Sequence, residues 1–127
     1  MSEHDARAFL GRQPWVVLGT LDERGGPDAD LVPSGLDGST LYFSVEPGGT
    51  PERNIARDPR VCCANDQFPT YYEIKGVTAH GRARPVTDTA EAARARAVIG
   101  GAAERPVYAL SLDDVMSFDF SKIQNQV

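Results

Sequence analysis

Long apolar runs are missing from this sequence: no stretch approaches the ~20 consecutive apolar residues that cross a bilayer as a helix. No membrane partner is expected. Lysine is nearly missing too, with only Lys75 and Lys122 among 13 basic residues, and 18 acidic residues leave a net charge of −5. Without a basic field to gather phosphates, nucleic acid is not expected as a partner either. The only cysteines, Cys62 and Cys63, are adjacent in a strand-like run, where their side chains would point to opposite faces and a mutual disulfide would be strained. Free thiols, and a Met1–Asp5 start with neither basic nor apolar character, set a cytoplasmic location as the expectation. Histidine is limited to His4 and His80, with no Cys–His or His–Glu spacing that builds a zinc site. Phosphate-binding Gly-x-x-x-x-Gly-Lys-Ser/Thr, dinucleotide-binding Gly-x-Gly-x-x-Gly and the Gly-x-Ser-x-Gly nucleophile elbow are all absent. The acidic residues are scattered, and Asp113-Asp114 read as a solvated turn. Metal-dependent and triad hydrolysis are thereby set aside, and no side chain stands out as catalytic.

What remains is the make-up of one soluble globular domain: 127 residues, 41% hydrophobic and 24% charged, with no linker, repeat or low-complexity segment. A first helix is expected over Glu3–Arg12, with Ala6, Phe9 and Leu10 on one face. Trp15–Leu21 is β-branched and aromatic and reads as a strand, followed after a glycine turn by a second over Asp28–Leu36. Asp37-Gly38 suits a tight hairpin into a third strand, Ser39–Val45. A fourth is expected over Arg60–Asp66, then a loop Gln67–Thr70 and a long strand from Tyr71 to Val86. The apolar phase of that strand shifts after Gly76, which a bulge there would reconcile. Thr87-Asp88-Thr89 caps a helix over Ala90–Ile99, and Pro106–Leu112 and Val115–Phe120 complete the strands. About six or seven strands, mostly turn-linked to their neighbours, describe an antiparallel barrel or sandwich with peripheral helices.

Between the third and fourth strands, Gly48-Gly49 permit a tight path, Thr50 is placed to cap a helix, and Pro51 fits its first position. A helix start after a glycine loop offers free N–H groups and partial positive charge, which suit a phosphate, and Arg53 in the first turn would add a fork of donors. The same pattern also describes an ordinary capped β–α–β corner. On the long strand, His80 would polarise a substrate or bind haem iron, or is an ordinary exposed or hydrogen-bonded strand histidine, and Arg82 and Arg84 would form an anion-binding edge or merely solvate an exposed strand. Trp15 and Tyr71-Tyr72 read as core or subunit-interface residues.

The order of these elements, with Arg53-Asn54-Ile55-Ala56-Arg57-Asp58-Pro59-Arg60-Val61 and Glu73-Ile74-Lys75-Gly76-Val77-Thr78-Ala79-His80-Gly81-Arg82-Ala83, resembles the pyridoxamine 5′-phosphate oxidase-like flavin-binding split barrels from about Ala6 to Phe120. The resemblance implies a six-stranded antiparallel split barrel that pairs with itself as a homodimer, holding FMN or the related 8-hydroxy-5-deazaflavin coenzyme at the subunit interface. It maps the ring-contacting strand onto Val32, Pro33 and Ser34 and the phosphate corner onto Ser44, Thr50, Arg53 and Asn54, with Gln67 and Tyr72 closing the site. The expected activity is hydride transfer between the cofactor and a small organic substrate. A cofactor-free or ligand-storing split barrel is the alternative, and a haem-handling one resting on His80 is the third. Thr50-Pro51 stand where many members carry Lys or Arg, and Asp30-Leu31-Val32-Pro33 where the oxidases carry basic residues. Those departures speak against oxidation of pyridoxamine phosphate itself, whose own phosphate needs cations.

Overall fold

A computed structural model of the chain describes residues 15–70, 73–100, 104–112 and 117–124. The expected helix over Glu3–Arg12, Tyr71-Tyr72 and Asp113-Asp114 lie outside the described residues. Strands β1 (Trp15–Leu21), β2 (Pro27–Asp37) and β3 (Thr40–Ser44) lead into helix α1 (Thr50–Arg57). Then follow β4 (Arg60–Thr70), β5 (Glu73–Arg82), the two-residue β6 (Arg84–Pro85), helix α2 (Thr89–Ile99), β7 (Val107–Ser111) and β8 (Ser117–Gln124). They form one antiparallel sheet in the order β6-β7-β3-β2-β1-β4-β5-β8. Because only Ala83 separates β5 from β6, the first strand of that order and the last but one are nearly one strand. The sheet therefore curls into an almost closed barrel of six strands, with β8 added on the edge of β5. This is the mainly β barrel with peripheral helices expected from the sequence, with one strand more than the six that the resemblance implies.

Alternation along the strands decides what fills the barrel. Val16 and Leu18 of β1, Val32 of β2, Leu41 and Phe43 of β3, Val61 and Cys63 of β4, Ala79 of β5 and Leu110 of β7 are all buried in one cluster. Tyr108 stacks on Phe43 within it, with ring centroids 5.6 Å apart and planes 17° from parallel. Ile55 of α1 joins the same cluster, so α1 packs on the barrel core. Helix α2 lies against the outer side of β2, β3 and β7: Ala95 packs with Tyr42, Val107 and Ala109. The helix comes so close that a Cβ on Gly35 would stand 2.3 Å from the Val98 carbonyl oxygen, so only glycine fits there.

Three local expectations are corrected by this structure. The β2–β3 hairpin turns on Gly38-Ser39, one residue later than Asp37-Gly38, because Asp37 pairs with Thr40. Gly38, at φ 61°, takes the first central position, where a two-residue turn of this hand demands positive φ. No register break falls at Gly76, which pairs with Asp66; the irregularity lies between Gln67 and Thr70 instead. Pro69 sits in that interval, and having no N–H it cannot complete a ladder, so the slip falls there and Gln67–Thr70 belong to β4 rather than to a loop. Finally, α1 is not capped by the Thr50 hydroxyl: Gly49 is its N-cap and no side chain closes it. Helix α2, by contrast, is capped as its sequence suggests, Asp88 accepting a hydrogen bond from Glu91 N–H.

Candidate functional site

The corner entering α1 is built by Gly48, whose φ of 71° turns the chain back on itself, and Pro51, which sets the helix direction. The loop satisfies part of its own polarity. Gly48 N–H donates to Glu52 Oε1 at 2.8 Å, so a carboxylate stands at the helix mouth. Arg53 folds back to donate to the Gly48 carbonyl at 2.5 Å and to Thr50 Oγ1 at 3.3 Å. Both acceptors are neutral. Arg53 therefore remains an exposed guanidinium with no ion pair among the described residues.

Asn54, on the next position of the helix, faces inward and is only 3% exposed. Its amide donates to Thr20 Oγ1 at 2.9 Å and to Asp28 Oδ2 at 2.8 Å, and its oxygen accepts from Arg57 at 3.3 Å. Its polar groups are thus committed to tying α1 to the β1–β2 hairpin. Val32 and Ser34 are buried on the inner side of β2, the Ser34 hydroxyl without a hydrogen-bond partner, and of the expected ring-contacting residues only Pro33 keeps a partly exposed side chain. Pro33 pairs with Trp15 across the β1–β2 ladder. Ser44 is buried at the end of β3, opposite Val107. Gln67 lies in β4 opposite Lys75, and Tyr72 is outside the described residues. Of the nine residues assigned from the sequence, then, the structure brings Thr50 and Arg53 together at an accessible surface and buries Val32, Ser34, Ser44 and Asn54.

Two neighbours of that corner had no sequence signal. Glu52 was legible only as a residue in the first turn of a helix. Tyr108 comes from a distant strand: burial, and then the negative charge of Glu52, raise its phenol above the usual range. Strand pairing also sets Cys62 directly opposite His80, a juxtaposition that no spacing along the chain contains. The Cys62 thiol covers Gly19, where a Cβ would meet the sulfur at 2.6 Å, and burial pushes the neighbouring Cys63 thiol well above its ordinary range. Cys63 is thereby an inert core residue. No group of His, Cys, Asp or Glu among the described residues could hold a metal ion.

A concavity opens where the long strand changes partner. Strand β4 accompanies it to Arg82, β8 pairs with it only as far as His80, and β7 takes it up at Arg84. A cavity of about 680 Å³ lies at this split, lined by Arg60, His80, Arg82 and Arg84 together with Val61, Gly81, Ala109 and Ser111. Asp58 grips Arg60 through both carboxylate oxygens, at 2.6 to 3.2 Å, and these hydrogen bonds, with a smaller contribution from the Arg82 charge, hold its carboxyl down at about 2. Glu91 grips Arg84 in the same manner at 2.6 and 2.9 Å and also accepts the Tyr42 hydroxyl at 2.7 Å.

An almost closed antiparallel barrel split at one seam, with a helix entering from a glycine corner, defines the split-barrel class. The chain belongs to the pyridoxamine 5′-phosphate oxidase family, whose model matches residues 2–126. Among solved structures it is similar to an FAD-binding protein from Mesorhizobium loti, with a TM-score of 0.81 and 17% identity over 98% of this chain and 96% of that one. It is also similar to the FAD binding protein from Mycobacterium smegmatis, with a TM-score of 0.79 and 15% identity over 98% of both chains. A heme binding protein from Mycobacterium smegmatis follows at TM-score 0.71 and 24% identity, covering 92% of this chain and 56% of that one. At these identities the likeness is one of fold. No curated protein matches the sequence.

Proposed function

We propose that this protein is a flavin-dependent oxidoreductase, binding FMN or a deazaflavin coenzyme at the α1 corner and passing a hydride between the cofactor and a small organic molecule. The observation that carries the reading is Arg53: an exposed cation held only by two neutral oxygens, at the start of a helix, in a member of a family whose solved relatives in fold include FAD-binding proteins. When bound, the flavin supplies the redox chemistry and the protein supplies position and exclusion of water. In this chain Arg53 and Thr50 would hold the phosphate, by exchanging a carbonyl acceptor for a charged one. Pro33 and the flanking Trp15 would wall the ring. No acid or base of the protein is required by that scheme, which agrees with a sequence offering none.

The second copy expected by the family resemblance has a surface to meet. Trp15, Val17 and Leu31 are 51%, 43% and 66% exposed, and Val17 pairs with Leu31 in the ladder that also sets Trp15 beside Pro33. We take this apolar stripe as the homodimer contact, which would place the ring wall at the subunit boundary.

One observation favours a second reading. Glu52 at the helix mouth and Asn54 locked to Thr20 and Asp28 remove two of the polar groups a phosphate would use, which is what a cofactor-free or ligand-storing barrel would show. Titrating the protein with FMN, the deazaflavin coenzyme and haemin separates the readings. Saturable quenching of a flavin supports the first, uptake of neither flavin nor haem replaces it with the second, and binding of haemin alone replaces it with a haem-handling protein.

A further inference from the structure

The cavity at the split of the barrel is a separate place in the molecule from the α1 corner. Arg53 sits in the first turn of α1, whereas Arg60 lies beyond the other end of that helix, at the start of β4, and Arg53 is not among the residues that line the cavity. Charge is concentrated there against the trend of the chain. The protein carries a net charge of −5, yet three guanidinium groups and an imidazole converge on this cavity and none of its described lining residues is acidic.

The carboxylates that balance two of those cations stand behind them. Asp58 engages Arg60 from the α1–β4 connection, and Glu91 engages Arg84 from α2, while both guanidinium groups still line the cavity. A planar guanidinium gripped by a carboxylate on one edge keeps donors on the others. Such pairs orient the two arginines instead of cancelling them. Arg82 is different: its exposed side chain makes no hydrogen bond or ion pair among the described residues, and its charge reaches only the Asp58 carboxylate that Arg60 already holds. Ser111 adds a hydroxyl, and Val61, Gly81 and Ala109 give a small apolar floor. The volume lies within the range of small-molecule sites.

We infer that the split between β5 and β7 is a second binding site, which takes a small molecule through a phosphate or carboxylate held by Arg82, with Arg60, Arg84 and Ser111 completing the cradle. The oxyanion meets Arg82, whose guanidinium no described carboxylate grips, and the two carboxylate-braced arginines fix its orientation. The ligand's organic part rests on Ala109 and Gly81. A site of this kind is independent of whether the α1 corner holds a flavin.

The test is a chemical-shift titration of the isotopically labelled full chain with inorganic phosphate and, separately, acetate, at constant ionic strength. Saturable shifts of the Gly81, Arg82 and Ser111 amides with either anion are expected, the stronger anion telling whether the site prefers phosphate or carboxylate. Arg82→Gln, at an exposed position with no side-chain hydrogen bond to lose, should weaken that binding about 10-fold and leave the rest of the spectrum in place. Arg53→Ala should leave the shifts at the split unchanged. Absence of saturable shifts there with both anions, equal affinity in the Arg82→Gln protein, or loss of these shifts on Arg53→Ala would each overturn the assignment. Failure of flavin binding at the corner would not.

Discussion

Asn54 shows how one residue type serves two very different ends. In the sequence it stands beside Arg53 at a helix start and looks like part of an anion cradle, but in the structure its amide joins α1 to Thr20 and Asp28. The direction in which a helical side chain points depends on what the helix packs against, and the inward face is set by Ile55 and the barrel, which local pattern does not contain. Arg53, one position earlier, falls on the open side and was legible as a solvent-facing donor. Asn54→Ala should therefore cost stability: three hydrogen bonds vanish and the buried Thr20 hydroxyl loses its partner, a loss of roughly 1–3 kcal/mol in urea unfolding. A stability equal to that of the parent chain would show that the amide is not what fastens α1. Cys62 and His80 make the same point, since eighteen positions of chain separate two groups that the β4–β5 ladder sets face to face.

At the scale of elements, β1, β2, β3 and both described helices were legible because each carries a local signature: alternation, a turn glycine, a proline at a helix start or an Asp cap. What pattern could not show is where the long strand changes partner. The exchange from β4 and β8 to β7 around Ala83 depends on pairing between distant segments, and the split with its arginine-lined cavity follows from it. Helix α2 is fastened beside that exchange by Glu91, which joins Arg84 of β6 to Tyr42 of β3. The hydrogen bonds from Arg84 and then from Tyr42 hold the Glu91 carboxyl at about 2, below its ordinary 4.5. A carboxyl whose pKa falls on folding stabilises the fold above its unfolded value and loses that effect as pH drops from about 4.5 towards 2. Glu91→Gln should accordingly unfold at lower urea than the parent at neutral pH, with the gap closing across that acid window. A gap that stays constant from neutral pH to about pH 2 would contradict the ion pair's role. Asp58, also held at about 2, titrates in both proteins and drops out of the difference.

For the whole molecule, the sequence offers no apolar run long enough for a membrane-spanning helix, and no described helix is long and apolar enough to cross a membrane. Assembly was not legible, because an exposed stripe needs two strands side by side before it exists: Trp15 and Val17 join Leu31 only through the β1–β2 register. If that stripe is the dimer contact, Leu31→Glu should shift the protein from dimer to monomer in sedimentation velocity, and a parent chain that is itself monomeric would remove the homodimer. The flavin reading depends less on assembly than on one cation at the α1 corner. Fluorescence-quenching titration with FMN and the deazaflavin coenzyme, on the parent chain and on Arg53→Ala, addresses it most directly. We expect saturable quenching by one of the two cofactors and an affinity at least ~10-fold weaker after the substitution, the equivalent of one charge-assisted hydrogen bond. Saturable quenching that Arg53→Ala leaves untouched, or no saturable quenching by either cofactor, would contradict it.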